Sequence, residues 1–239
     1  MKTVPFPLKQ TIINGIKGFE KDGGALIFFE QCKALRAKFE YQVDMHKYKV
    51  VAVTSSIAEE GKTCICANLA ANLASIGRKK VLLIDADLRK SDLARYLNIS
   101  PKLGLTEILR GSASLENVIH KPTKELYFIP CGERITDASD LLAGDKFRSF
   151  LKEMRSRFDI VLLDTSPILP VADTLSLRDQ IDGFILIFRM GFTPHVMLRQ
   201  IVDEIGKEKI LGVVLNYVEP QRQKYYERYY GKYYHKDSG

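Results

Sequence analysis

Gly61, Lys62 and Thr63 stand in a row between the apolar run KVVAVT (49–54) and the alanine-rich ICANLAANLA (65–74). A glycine-bearing loop between a strand and a helix offers backbone N–H groups to phosphate oxygens. Gly61 permits close backbone approach, Lys62 adds positive charge, and the Thr63 hydroxyl suits a magnesium ion. Ser56 and Glu60 lie in the same loop and Cys64 follows it, so these six positions are candidate contacts for a phosphate-bearing ligand. The full phosphate-loop pattern places a glycine five residues before Gly61, where this chain has Ser56.

The triplet alone carries little weight; further carboxylates add to it. In VLLIDADLRKSDL (81–93), Asp85 and Asp87 close an apolar run, and their spacing points both side chains the same way while the chain stays extended. In DIVLLDTSPIL (159–169), Asp164 follows four apolar residues and precedes a Thr-Ser-Pro turn. Each Asp alone reads equally as the cap of a following helix or turn. Three strand-end carboxylates beside a phosphate loop read as the holders of a metal–nucleotide complex, with Thr63 and Asp164 as metal ligands, and spacing alone does not divide roles between Asp85 and Asp87.

These residues need a scaffold. The runs 49–54, 80–86, 126–130, 159–164, 183–188 and 210–216 are short, rich in β-branched residues and nearly continuously apolar, as strands buried on both faces are. Helical periodicity occupies 63–76, 91–97, 104–120 with a break, 139–157, 171–179 and 194–206. The alternation predicts a doubly wound α/β fold, a mainly parallel sheet with helices on both faces. Before it, residues 26–48 repeat Leu26, Phe29, Cys32, Leu35, Phe39 and Val43 at helical steps, and 1–25 read as an arm or linker. The folded core is expected over 26–216 and a tail over 217–239.

Composition narrows the surroundings. The four cysteines form no CxxC pair, so reduced thiols in a cytoplasmic protein are expected. No run approaches the ~20 apolar residues of a spanning helix, and MKTVPFPLKQ lacks the apolar stretch of a signal peptide. The net charge of +7 is spread along the chain and selects no ligand class. The tail holds YYERYYGKYY (225–234), six tyrosines in ten positions, interleaved with Glu227, Arg228 and Lys232 at no amphipathic period.

The segments around 61–63, 81–93 and 160–168, together with the tyrosine tail, resemble the Walker A, A′ and B motifs and the tail of bacterial tyrosine kinases. These are P-loop autokinases of capsule and exopolysaccharide synthesis. Glu30, Lys33 and Arg36 stand at the spacing of that family's Glu-x-x-Arg-x-x-Arg oligomerisation helix. Two departures are visible: Lys33 replaces an arginine, and Ala58-Glu59-Glu60-Gly61-Lys62 replaces the usual Pro-Gly-Glu-Gly-Lys. The septum-positioning and partitioning ATPases of the same fold carry a lysine where this chain has Ile57, and iron–sulfur relatives need paired cysteines.

The resemblance implies Mg-ATP-dependent transfer of phosphate to tyrosine. Lys62, Asp85, Asp87 and Asp164 would be catalytic, with Asp85 accepting the tyrosine proton and Asp87 joining Thr63 and Asp164 as a metal ligand. Asn216, ending the last strand, would hydrogen-bond adenine, though a strand-end Asn at the core edge reads equally well. Tyr225, Tyr226, Tyr229, Tyr230, Tyr233 and Tyr234 would accept phosphate, each modified tyrosine adding about −1.5 to −2 charge. A ten-residue tether spans only roughly 16–19 Å, so delivery to a neighbouring subunit suits the tail at least as well as its own site. The family relation further implies a ring homo-oligomer such as an octamer, a transmembrane adaptor related to chain-length regulators, and a cognate phosphatase. Other protein substrates are possible, and the location would be the inner face of the plasma membrane. Two other readings stay open: an ATPase of the partitioning or scaffold type whose basic aromatic tail stacks on single-stranded nucleic acid, and an inactive scaffold of the same fold.

Overall fold

The computed structural model describes residues 24–218, with side chains from 28 onward. The N-terminal arm and the tyrosine cluster at 225–234 lie outside the described residues. Helix α1 runs Gly24–His46, two residues ahead of its expected start. The chain then alternates: β1 Val50–Ser55, α2 Lys62–Ser75, β2 Val81–Asp85, α3 Leu93–Tyr96, α4 Leu105–Arg110, α5 Leu115–Val118 and β3 Leu126–Ile129. It continues through α6 Ala138–Ala143, α7 Asp145–Arg157, β4 Ile160–Asp164, β5 Gly183–Arg189, α8 His195–Ile205 and β6 Ile210–Asn216.

All six expected strands form. They make one sheet in the order β3-β2-β4-β1-β5-β6, every neighbouring pair parallel. Parallel strands covered on both faces need apolar side chains on both, which is why alternation is absent from these runs. Val51, Val53, Leu83, Leu162, Ile185 and Ile187 pack under α1 and α2 with Phe39, Val43, Leu69 and Leu73. Ala52, Leu82, Ile84, Leu163 and Leu186 pack on the opposite face against Phe147, Leu151, Ile201 and Ile205 of α7 and α8. Because the strands are parallel, their carboxyl ends share one rim, and the chain leaves β1 toward one side and later returns to the other. Ligands of such sheets bind at that switch point.

Three helical expectations shorten or split, and of 91–97 only Leu93–Tyr96 is helical. Residues 171–179 keep only a 3₁₀ turn at Leu175–Leu177. There the Ser176 hydroxyl bonds to Asp173 O, competing with helical pairing, and the Thr174 hydroxyl ties the segment to Ser166 O. The stretch 139–157 splits into α6 and α7 at Gly144, whose backbone is extended. No helix among the described residues is long and apolar enough to cross a membrane.

Candidate functional site

Residues 56–61 carry the chain from β1 to α2, and the Glu60 carboxylate shapes this loop from inside. Fully buried, it accepts hydrogen bonds from Ile57 N–H (2.8 Å), Arg189 N–H (3.2 Å) and the Thr193 hydroxyl (2.5 Å). Its backbone carbonyl takes the Asn216 amide at 2.8 Å. The Arg189 guanidinium donates to Glu59 O at 3.0 Å and lies 4.4 Å and 4.2 Å from the rings of Phe192 and Tyr217. The ends of β5 and β6 thus clamp the loop. Glu60 was expected at the ligand; its carboxylate is occupied by these three donors. Asn216, expected at adenine, spends one amide hydrogen on the loop and accepts Tyr217 N–H at 3.0 Å.

Gly61 has φ +91°, and a Cβ there would sit 2.3 Å from Asn216 Nδ2. Only glycine allows this approach. Glu59 is exposed and has φ +66°, a left-handed backbone that penalises side chains other than glycine. This explains the departure noted at 59: the extra carboxylate points to solvent and its cost is conformational. Glu59→Gly should stabilise the fold by about 1 kcal/mol, raising Tm by about 2–4 °C. A lower Tm in a thermal scan would contradict the assignment of strain.

Helix α2 opens at Gly61 with no side-chain cap, leaving its first-turn N–H groups open to an anion. Lys62 turns its ammonium onto Asp87 Oδ2 (3.0 Å), Thr63 Oγ1 (3.4 Å) and Asp164 Oδ1 (3.6 Å). Sheet register places Asp85 directly across from Asp164. The expected residues Lys62, Thr63, Asp85, Asp87 and Asp164 therefore come together at the carboxyl ends of β1, β2 and β4.

Their surroundings differ. Asp85 Oδ2 accepts from the Ser91 hydroxyl (2.5 Å) and Leu93 N–H (3.3 Å), and Oδ1 from Asp87 N–H (3.3 Å). Burial, reinforced by Asp164, pushes its carboxyl up to about 7. Asp164 is raised by burial against the pull of Lys62. Burial acts the same way on Asp87, but Lys62, Lys90 N–H and the Ser166 hydroxyl outweigh it and hold that carboxyl below its ordinary range. For Lys62 burial opposes the charge, and Asp164 and Asp87 overcome it, raising the ammonium above the lysine range. Burial pushes the Cys64 thiol up to about 11, so it sits beside the loop as a neutral group. All four cysteines are free.

A magnesium nucleotide fits these residues. Ser56 Oγ and Asp164 Oδ1 are buried and have no hydrogen-bond partner among the described residues, and the helix start is uncapped. Among the described residues no group of three or more His, Cys, Asp or Glu is arranged to cage a metal alone. Magnesium does not require one, since it is commonly held by one or two carboxylates plus substrate phosphates. Sequence motifs did not point to Arg189 and Thr193, whose one signal was a place just past the end of a strand. Ser166 falls in the Thr-Ser-Pro turn and Ser91 at the start of the expected helix 91–97, and neither carries a site role in the sequence reading. On α1, Lys33 pairs with Glu30 at 2.6 Å and Arg36 with Glu40 at 3.6 Å, both along the same helix.

Residues 48–188 match the family model described as an AAA domain. The chain is 33% identical over 190 residues to tyrosine-protein kinase YwqD of Bacillus subtilis, covering 78% of this chain and 80% of that protein. It is 32% identical over 189 residues to tyrosine-protein kinase CpsD of Streptococcus pneumoniae, covering 77% and 82%. Tyrosine-protein kinase ptk of Acinetobacter johnsonii is 31% identical over 202 residues, and there the chain spans 83% of itself but 27% of the relative. Across four such long relatives the chain spans 22–31% of their length.

Among solved structures, the kinase domain of Escherichia coli tyrosine kinase ETK superposes with a TM-score of 0.77 at 26% identity, covering 90% of this chain and 82% of that one. The VpsO kinase domain gives 0.73 at 30%, covering 81% and 97%. The Pyrococcus furiosus cell division ATPase MinD gives 0.60 at 25%, covering 75% and 79%. On the motif positions, the sheet and these similarities together, the chain belongs to the AAA-domain P-loop proteins and, within them, to the bacterial tyrosine-protein kinases.

Proposed function

We propose that the chain is an ATP-dependent protein tyrosine autokinase that phosphorylates its own C-terminal cluster between subunits of a ring. The carrying observation is the convergence of Lys62, Asp87 and Asp164 beside an uncapped helix start at the switch point of the sheet. Phosphoryl transfer asks a protein mainly for positioning and charge neutralisation. Lys62 leaves the carboxylates for phosphate oxygens, and the first-turn N–H groups of α2 with Ser56 and Cys64 line the phosphates. Thr63, Asp87 and Asp164 would hold magnesium, which when bound neutralises phosphate charge. Asp85 takes the phenol proton, supported by a carboxyl raised to about 7. Its closed setting behind Ser91 requires that hydroxyl to give way.

Asn216 lies at the edge of the loop, where adenine would come. Tyr225, Tyr226, Tyr229, Tyr230, Tyr233 and Tyr234 are the acceptors. Glu30, Lys33 and Arg36 exchange their helix-internal partners for a neighbour's in the ring. A transmembrane adaptor brings the kinase to the inner face of the plasma membrane, and a phosphatase reverses the modification. The role in capsular or exopolysaccharide synthesis draws support from a relative named as a succinoglycan biosynthesis transport protein, 34% identical over 174 residues.

A mixing experiment tests delivery between subunits. Lys62→Met subunits with an intact tail are combined with subunits whose six tail tyrosines are Phe, and Mg-ATP is added. Phosphotyrosine should appear on the Lys62→Met chain. A mixture without it, from subunits whose unmixed wild type labels itself, would sink transfer between subunits.

A further inference from the structure

We infer that Arg89 is a positioning residue: its ion pair with Asp173 latches the segment after β2 to the segment after β4, and so fixes the Asp87 carboxylate. The inference rests on the proposed nucleotide site. Arg89 Nε donates to Asp173 Oδ2 at 2.6 Å and Nη2 to Oδ1 at 3.0 Å, across 84 residues of sequence. The Asp173 side chain is 1% exposed and that of Arg89 33%. A two-pronged guanidinium–carboxylate bond fixes orientation as well as distance, which a lysine could not do.

The pair closes a cycle. Thr174, next to Asp173, donates its hydroxyl to Ser166 O at 2.6 Å, and Thr54 of β1 donates to the same oxygen at 2.9 Å. The Ser166 hydroxyl in turn donates to Asp87 Oδ1 at 2.9 Å, where Lys90 N–H also bonds at 3.0 Å. From Asp87 the backbone returns to Arg89 in two residues. One Asp87 oxygen is therefore held by both segments, while the other meets Lys62. Released from Asp173, the 166–174 segment loses one of its ties to the turn at 87–90, and the Asp87 oxygens lose a fixed aim. Arg89 acts through Asp87 and not on the ligand.

Calorimetry on the full chain tests this with Arg89→Lys, Asp173→Asn and the double variant. Arg89→Lys keeps a cation beside the buried carboxylate, so the fold survives. ADP is titrated first without metal, then Mg²⁺ into the ADP-saturated protein. Each single change should weaken Mg²⁺ by about 10-fold with metal-free ADP affinity unchanged, and the double should be no worse than the worse single. Unchanged Mg²⁺ affinity in both singles overturns the latch. So does a neutral Asp173→Asn beside a damaging Arg89→Lys, which would mean that Arg89 meets the ligand directly. A wild type that binds no ADP brings down the site reading itself, and the latch with it.

Discussion

Lys62→Met should abolish phosphate transfer, lowering the rate by about 10²–10³-fold or more, while Lys62→Arg should keep part of it. The side chain is 12% exposed and surrounded by acidic groups, with Asp87 5% and Asp164 1% exposed. Removing its charge has two consequences. The phosphates lose a fixed cation in a water-poor site, where such a charge counts most. The carboxylates also lose their counter-charge, and breaking a buried pair from one side costs roughly 3–5 kcal/mol at the upper end. Protonation of Asp85 and Asp164, whose carboxyls are already raised, relieves part of that cost. The Met variant should therefore remain folded but melt lower, and Lys62→Arg separates charge from fold. A Lys62→Met protein that labels itself like wild type would turn the reading toward an inactive scaffold.

The second large effect is expected at Glu60. Its carboxylate satisfies three donors from two segments, Ile57 of the loop and Arg189 and Thr193 at the end of β5. Glu60→Ala leaves those donors unmet, each costing about 1–3 kcal/mol, and frees a loop whose value lies in being pre-formed. ATP affinity, measured by calorimetry, should fall by about 10-fold or more, the equivalent of 1.4 kcal/mol, with a lowered Tm. Glu60→Gln keeps the shape and an acceptor oxygen, and should fall between. The opposite outcome, an Ala variant that binds ATP more tightly, would mean that the carboxylate repels the phosphates and is not the loop's internal brace.

What the sequence disclosed follows from range. The six strands were legible because a parallel strand covered on both faces is apolar throughout, a local property. Lys62 and the three aspartates were legible because each terminates such a run or sits just beyond it, and parallel pairing then sends all the run ends to one rim. Contacts between distant segments left no local mark: Glu60 meets Thr193 across 133 residues, and Arg89 meets Asp173 across 84. The expected helix at 171–179 failed for a related reason, since Ser176 turns back on the backbone and Thr174 ties the segment to Ser166 O. Glu59 stands out in the sequence only as a departure from the usual loop, and its backbone angle makes that peculiarity conformational.

The central claim is that this site phosphorylates tyrosines of its own chain, and mapping the phosphate tests it most directly. Purified protein is incubated with Mg-ATP, with and without an adaptor segment, beside Lys62→Met, and digested for mass spectrometry. Phosphate is predicted on tyrosines between 225 and 234 in the wild type and on none in the variant. A wild type that carries no phosphate there, even with the adaptor segment present, would contradict the account.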